Sequence, residues 1–309
     1  LTPLRLWIGG YAPEESAHAD GLRAFRDHVV SAGNGEVEVD ITFNIMDEGR
    51  PNTDLFDLVE SGKMFFCFFS SSYLGDRVPE LDVIETPYLF DDLPAAHRAL
   101  DGALGARLTE AVRARTGFEV LGFWDNGFRH ITNRLRTVRT PEDLAGMTVR
   151  MQPNEIHEEL IRCWGATPIA VGLREAVELI SSGKVDAQDN PLANTFAYGV
   201  DKVHRFVTMS GHLYGARGLF AHGQTYWKMD NDLRAMTDEA VRHAIEVQRS
   251  AAARLEEALR MQLESDGHEV IELTELEREG FAGAAGPAIE MAHREVPREL
   301  FDLVGSGRG

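Results

Sequence analysis

Cysteine, positive charge and long apolar runs are all scarce in this chain of 309 residues. Its two cysteines, Cys67 and Cys163, stand far apart, one inside the apolar run MFFCFF and one in a helical pattern, and both read as plain buried thiols. No stretch approaches the roughly 18 consecutive apolar residues that a membrane span needs, so direct membrane insertion is not expected. Lysine and arginine total 31 against 50 acidic residues, a formal charge of −19. That balance disfavours nucleic acid and anionic membrane surfaces as partners. An anion bound here must meet positive charge concentrated locally.

Catalytic and cofactor motifs are missing too. There is no Gly-x-Ser-x-Gly elbow and no Gly-Lys-Ser/Thr phosphate loop. Gly9-Gly10 lacks the rest of a dinucleotide fingerprint, and His157-Glu158 has no second histidine at zinc-ligand spacing. Asp186 and Asp189 flank Gln188 without the ligand ladder of a calcium loop. The expectation is a protein with no cofactor, no metal ligands and no catalytic residues. The chain opens LTPLRLWIGGY, with neither Met nor a charged-then-apolar leader, and reads as a mature product from which a signal peptide has been removed.

What is present is globular composition, 43% apolar and 26% charged, in a length that suits two domains. Strand and helix patterns alternate. RLWIGG (5–10) precedes a helix from Ser16 to Ser31 closed by Gly33 as a left-handed cap. VEVDITF (37–43), a helix near 53–61 and the doubly buried run MFFCFF (64–69) follow. Then come one or two helices over 91–116 and the strand EVLGFW (119–124). The pattern resumes with a strand at 147–152, a helix over 155–164, TPIAV (167–171), a helix near 175–182, a strand at 185–189, and the strands HRFVTM (204–209) and ARGLFAH (216–222). Such alternation predicts an α/β fold with a mostly parallel, helix-covered sheet. Apolar residues at three- and four-residue steps predict one long helix over 238–265, gapped by Gln248 and Gln262. It reads either as a coiled-coil seam or as a helix lying across two lobes.

Polar residues gather at predicted strand ends. In GMTVRMQPN (146–154), Met147, Val149 and Met151 alternate with Thr148, Arg150 and Gln152. Arg150 is therefore either a solvated side chain on an exposed face or a guanidinium aimed at a carboxylate. Arg129 in NGFRHITN and Asn190 in DNPLAN lie beyond other strands, where open α/β sheets bind ligands. Separately they read as a surface ion pair and a turn former. Together they supply many donors and a fixed positive charge for a carboxylate.

Six ordered motifs carry a family likeness over nearly the whole length: VPELDVIETPYLFDD (78–92), NGFRHITN (126–133), RTPEDLAGMTVRMQPN (139–154), WGATPIAV (164–171), GKVDAQDNPLAN (183–194) and SGH (210–212). The chain resembles the dicarboxylate-binding type of solute-binding protein that serves tripartite ATP-independent periplasmic (TRAP) transporters. The resemblance implies a two-lobed periplasmic-binding-protein fold with a central cleft, crossing hinge strands and a long helix spanning both lobes. Lobe I would comprise 1–126 plus 213–254, and lobe II 127–212 plus 255–309. The implied function is capture of a small organic acid in the cleft and delivery to a TRAP membrane permease, by a periplasmic monomer that is not an enzyme.

By the family pattern, Arg150 clamps the ligand's carboxylate while Arg129 and Asn190 orient it, with Gln152 nearby. On lobe I the candidates are Ser70, Phe69 and Tyr11. Trp124, Phe128 and Tyr214, with Phe69, either make the site aromatic-rich or pack the hinge. The segment GLREAVEL after TPIAV is longer than in sialic-acid-binding members, which argues against that ligand. A sensory protein docking on a receptor kinase, or an enzyme acting on an organic acid, would be the alternatives on the same fold.

Overall fold

Period-2 runs become strands and amphipathic runs become helices along most of the chain. The computed structural model describes residues 3–305. In chain order the elements are β1 (Leu4–Gly9), α1 (Ala17–Ala32), β2 (Val37–Thr42), α2 (Asp54–Glu60), β3 (Phe66–Ser70), α3 (Leu93–Asp101), α4 (Ala103–Arg115) and β4 (Phe118–Asn133). There follow β5 (Thr148–Met151), α5 (Glu155–Cys163), β6 (Thr167–Ala170), α6 (Leu173–Ser181), β7 (Ala187–Asn190), α7 (Leu192–Ala197) and β8 (Phe206–His222). The chain ends with α8 (Gly223–Lys228), α9 (Asn231–Ser265), β9 (Glu269–Glu272), α10 (Glu275–Ala284), α11 (Gly286–Glu295) and α12 (Arg298–Gly305).

These elements form two compact units. The first takes residues 1–71, 98–125 and 216–254, the second 72–97, 126–215 and 255–309. Residues 72–97, read from the sequence as part of the first lobe, group with the second unit. Contacts far along the chain hold them there: the Asn154 amide donates to Asp82, and the Tyr88 N–H donates to the His212 carbonyl.

In the first unit β2, β1 and β3 are parallel, and β3 pairs antiparallel with the end of β8, Phe66 opposite Ala221 and Ser70 opposite Arg217. Every residue of β3 is buried, as its unbroken apolar run requires. Phe25 of α1 meets Phe66 edge-on at 4.9 Å, and each ring so buried contributes about 2–3 kcal/mol. Gly10 is obligatory, because a Cβ there would fall 1.9 Å from the Phe68 ring. The Ser16 hydroxyl accepts from the Ala19 N–H and starts α1. Its end differs from expectation: Gly33 has φ −78°, and the left-handed residues are Asn34 and Gly35.

The second unit runs β4–β7–β5–β6, with β7 antiparallel to β4 and parallel to β5, and β6 parallel to β5. Val149, Met151, Leu160, Trp164 and Phe281 form its core. Trp164 donates its indole N–H to the Phe281 carbonyl at 3.2 Å, so the one polar atom of that ring is satisfied.

Among the described residues the α-helices and strands with residues in both units are α3, β4, β8 and α9. The sequence pattern makes β4, β8 and α9 each too short. β4 does not stop at Trp124 but continues through NGFRHITN, bending at Gly127 with φ +98°, a conformation that glycine reaches without strain. HRFVTM and ARGLFAH are one strand, β8, bent at Gly211 with φ +53°. α9 starts at Asn231, ahead of the expected Asp238. Gln248, read as a gap in its apolar stripe, is wholly buried, with its amide bonded to both the N–H and the carbonyl of Asp125 at 3.0 and 2.8 Å. The polar residue is thus matched to a strand backbone.

Candidate functional site

The end of β5 gathers the charged chemistry of the second unit. Arg150 is 3% exposed, so the solvated reading of this side chain is excluded. It lies in register between Ile169 of β6 and Gln188 of β7. One terminal nitrogen donates to the Val171 carbonyl at 2.8 Å, while its Nε is buried with no partner. Among the described residues no carboxylate lies within ion-pair distance of it. Burial pulls its pKa below the usual arginine range; the neighbouring charge of Arg129 adds to this, and Tyr73, Asp189 and Tyr198 oppose it.

Arg129 is a buried cation of a different kind. Its Nε donates to Asp189 Oδ2 at 2.6 Å, and one terminal nitrogen donates to the Asp189 carbonyl at 2.6 Å and to Oδ1 at 3.1 Å. Burial acts against the Arg129 charge, but attraction and hydrogen bonding from Asp189 hold it above its ordinary range. Asp189 is in turn held well below the carboxylate range: burial opposes ionisation, and Arg129 with His212 overcomes it. His212 stands 3.5 Å from Asp189, bonds Ser210 at 2.8 Å and meets Trp164 edge-on. Burial brings its pKa down to about 4, so the ring is neutral at pH 7. Arg129 is therefore neutralised within the protein and Arg150 is not.

Asn190 ends β7, opposite His130 of β4. Its amide donates to Gln188 and accepts from Asn194 at 3.0 Å, in a row of side-chain amides. Gln152 donates to the Ser72 hydroxyl at 2.8 Å, tying the turn after β3 to the end of β5. Two residues on, Asn154 accepts from the His157 N–H to start α5 and donates to Asp82. Tyr214 packs edge-on against Phe90 and Phe128, both at 5.6 Å, as interior packing of this unit.

The remaining candidates sit in the first unit. The Tyr11 hydroxyl accepts from the Ser70 N–H, and the Arg217 guanidinium lies 4.5 Å over its ring. Phe69 is fully buried against Tyr11 and Phe56. Trp124 is fully buried against Phe68 and Gly21. Both are core rings of that unit.

Sequence reasoning missed Asp189 as the partner of Arg129, and it missed Arg217, Tyr73 and Tyr198. The signal for Arg217 was available: a lone arginine inside the apolar strand ARGLFAH, which burial brings down to a pKa of about 9.

Comparison with known proteins gives this arrangement its class. The chain superposes on a TRAP periplasmic solute-binding protein from Polaromonas, solved with D-erythronate bound, with a TM-score of 0.90 at 25% identity over 99% of both chains. It is 26% identical to a C4-dicarboxylate-binding protein of Bacillus subtilis over 92% of this chain and 82% of that one. It is also 26% identical to the 2,3-diketo-L-gulonate-binding periplasmic protein of Escherichia coli, over 78% and 73%. Fold and sequence thus define a solute-binding protein of the kind that serves TRAP transporters. The chain belongs to the bacterial extracellular solute-binding protein family 7, whose pattern matches residues 8–295.

Proposed function

We propose that this protein captures a small organic acid by its carboxylate, with Arg150 as the anchoring cation, in the periplasm, and passes it to a TRAP-type membrane permease. The observation that carries the reading is the buried Arg150 guanidinium with its Nε unpartnered and no carboxylate within ion-pair distance among the described residues. A buried charge is costly unless it is paired, and a planar fork with open donors is matched by a carboxylate. Arg129 and Asn190 orient the acid, their own geometry fixed by Asp189 and by the amide row. Gln152 holds the neighbouring turn through Ser72. The relatives' ligands support the class: a C4-dicarboxylate, a diketo sugar acid and D-erythronate all carry a carboxylate.

Calorimetry on ligand-free protein, guided by a thermal-shift screen of dicarboxylates, sugar acids, keto acids and aromatic acids, tests the proposal. Arg150→Ala is expected to cost about 3–5 kcal/mol of binding, at least a hundredfold in affinity. Arg150→Lys is expected to recover only part, because an ammonium lacks the fork. Near-normal affinity in the alanine variant would sink the assignment. Mass spectrometry of the incubated acid should return it unchanged, and turnover would make the protein an enzyme instead.

A further inference from the structure

β6 gives way to α6 beside Arg150, and the change takes two residues. The Val171 N–H donates to the Met151 carbonyl at 3.3 Å, and the Val171 carbonyl accepts from Arg150 at 2.8 Å. Gly172 comes next and is the N-cap of α6, with φ −62° and ψ 167°. That conformation is open to any residue, and a Cβ at Gly172 would meet nothing within 4 Å. Neither the backbone nor the packing calls for glycine, yet its presence leaves α6 with no side-chain cap. α5, which leaves the parallel strand β5 at the same end of the sheet, is capped by Asn154. The first N–H groups of a helix have no partner within it. Those of Leu173 and Arg174 therefore point out of α6 next to the peptide that Arg150 holds by its carbonyl.

We propose that the N-terminus of α6 is the second half of the carboxylate clamp, with the Leu173 and Arg174 N–H groups donating to the acid that Arg150 anchors. The proposal rests on the anchoring role of Arg150. Two independent features meet here. One is the guanidinium, 3% exposed, with its Nε unpartnered among the described residues. The other is an uncapped helix end, where aligned peptide dipoles leave about half a positive charge and the N–H groups suit an anion. The Val171 carbonyl ties the guanidinium to the chain just ahead of that end, which fixes the spacing between the two. An ionised carboxylate has about four lone-pair sites. The arginine fork fills two of them, and the helix amides take others. Held in this way, the ligand caps α6 as Asn154 caps α5.

Leu173→Pro tests this. Proline is accepted at the first position of a helix, where it deletes one N–H and keeps the helical φ. The extended Gly172 ahead of it suits a residue that precedes proline. Leu173→Ala also truncates the side chain but keeps the N–H. Calorimetry with succinate and with D-erythronate compares both variants with wild type and Arg150→Ala. Leu173→Pro is expected to bind whichever probe wild type binds about tenfold or more weakly than Leu173→Ala does, the scale for a hydrogen bond to a charged group. In wild-type protein, amide NMR should show the Leu173 and Arg174 protons moving downfield and exchanging more slowly once the acid is bound, a readout that needs no variant to fold. Equal affinity of the two Leu173 variants, or amides that neither shift nor gain protection at saturation, would overturn the proposal. Either result leaves the anchoring role of Arg150 standing if Arg150→Ala abolishes binding. Silence of both probes on folded wild type, or binding that survives Arg150→Ala, overturns both readings together.

Discussion

Arg129 and Arg150 belong to one unit and are both buried, yet the protein treats their charges in opposite ways. Arg129 has an internal carboxylate, and among the described residues Arg150 has only the Val171 carbonyl. Opposite effects on the ligand-free protein follow. Arg129→Met leaves the Asp189 carboxylate buried without its cation and is expected to destabilise by about 3–5 kcal/mol. Arg150→Met removes an uncompensated buried charge and is expected to raise the melting midpoint by about 2–4 °C. Urea and thermal unfolding of the two variants check the pair, and destabilisation by both would mean that Arg150 is structural. The motifs singled out both arginines, but nothing in them told which one is neutralised within the protein. That depends on Asp189, sixty residues from Arg129, whose place is set by strand pairing.

At the scale of elements, α5 begins beside the strand that bears Arg150, and its capping residue Asn154 also holds Asp82. Burial raises Asp82 from 3.8 to about 7; Glu85, Glu295 and Asp76 push the same way and the Asn154 hydrogen bond opposes them. A carboxyl raised in the folded state stabilises fully below its unfolded pKa, near 4, and loses that contribution as pH rises through 7. Asp82→Asn keeps an acceptor for Asn154 and does not ionise. Its advantage over wild type should therefore grow from pH 4 to 7 and level off above, at about 2 kcal/mol once partial solvent access is discounted. Unfolding midpoints at pH 4.5, 6 and 8 check this, and a constant difference would count against it. Elements governed by local pattern were legible, including the buried run of β3 and the long α9. Those governed by distant contacts were not: SGH and NG looked like breaks, yet both strands run through them, because a glycine bend is not a chain reversal. The 3₁₀ turn at Pro79–Val83 carries no sign in its own residues that it belongs with Asn154.

For the whole molecule, acid is expected to be the vulnerable direction. Burial lowers His18, His204 and His212 from 6.5 to about 4 each. A base depressed in this way stabilises fully above its unfolded pKa and loses that contribution as pH falls from 6.5 toward 4, up to about 3 kcal/mol per ring. Urea midpoints should drop steeply over that window, and His204→Asn, which can still bond Thr132, should flatten the drop. An unchanged slope would mean that His204 titrates alike in the folded and the unfolded chain.

The interleaving of the two units also bears on the order in which the ribosome delivers their parts. Phe66 pairs with Ala221, so the wholly apolar β3 waits for its neighbour until most of the second unit has been made. The first unit lacks its last segment until residue 254. A nascent chain halted near residue 126 therefore carries FCFFS with one side of the strand open, an edge that invites pairing with other copies. Such a fragment is expected to sediment as aggregate, while the full chain, in which both units have all their segments, should remain dispersed. Synthesis thus leaves one edge of β3 in need of shielding until most of the chain has been made.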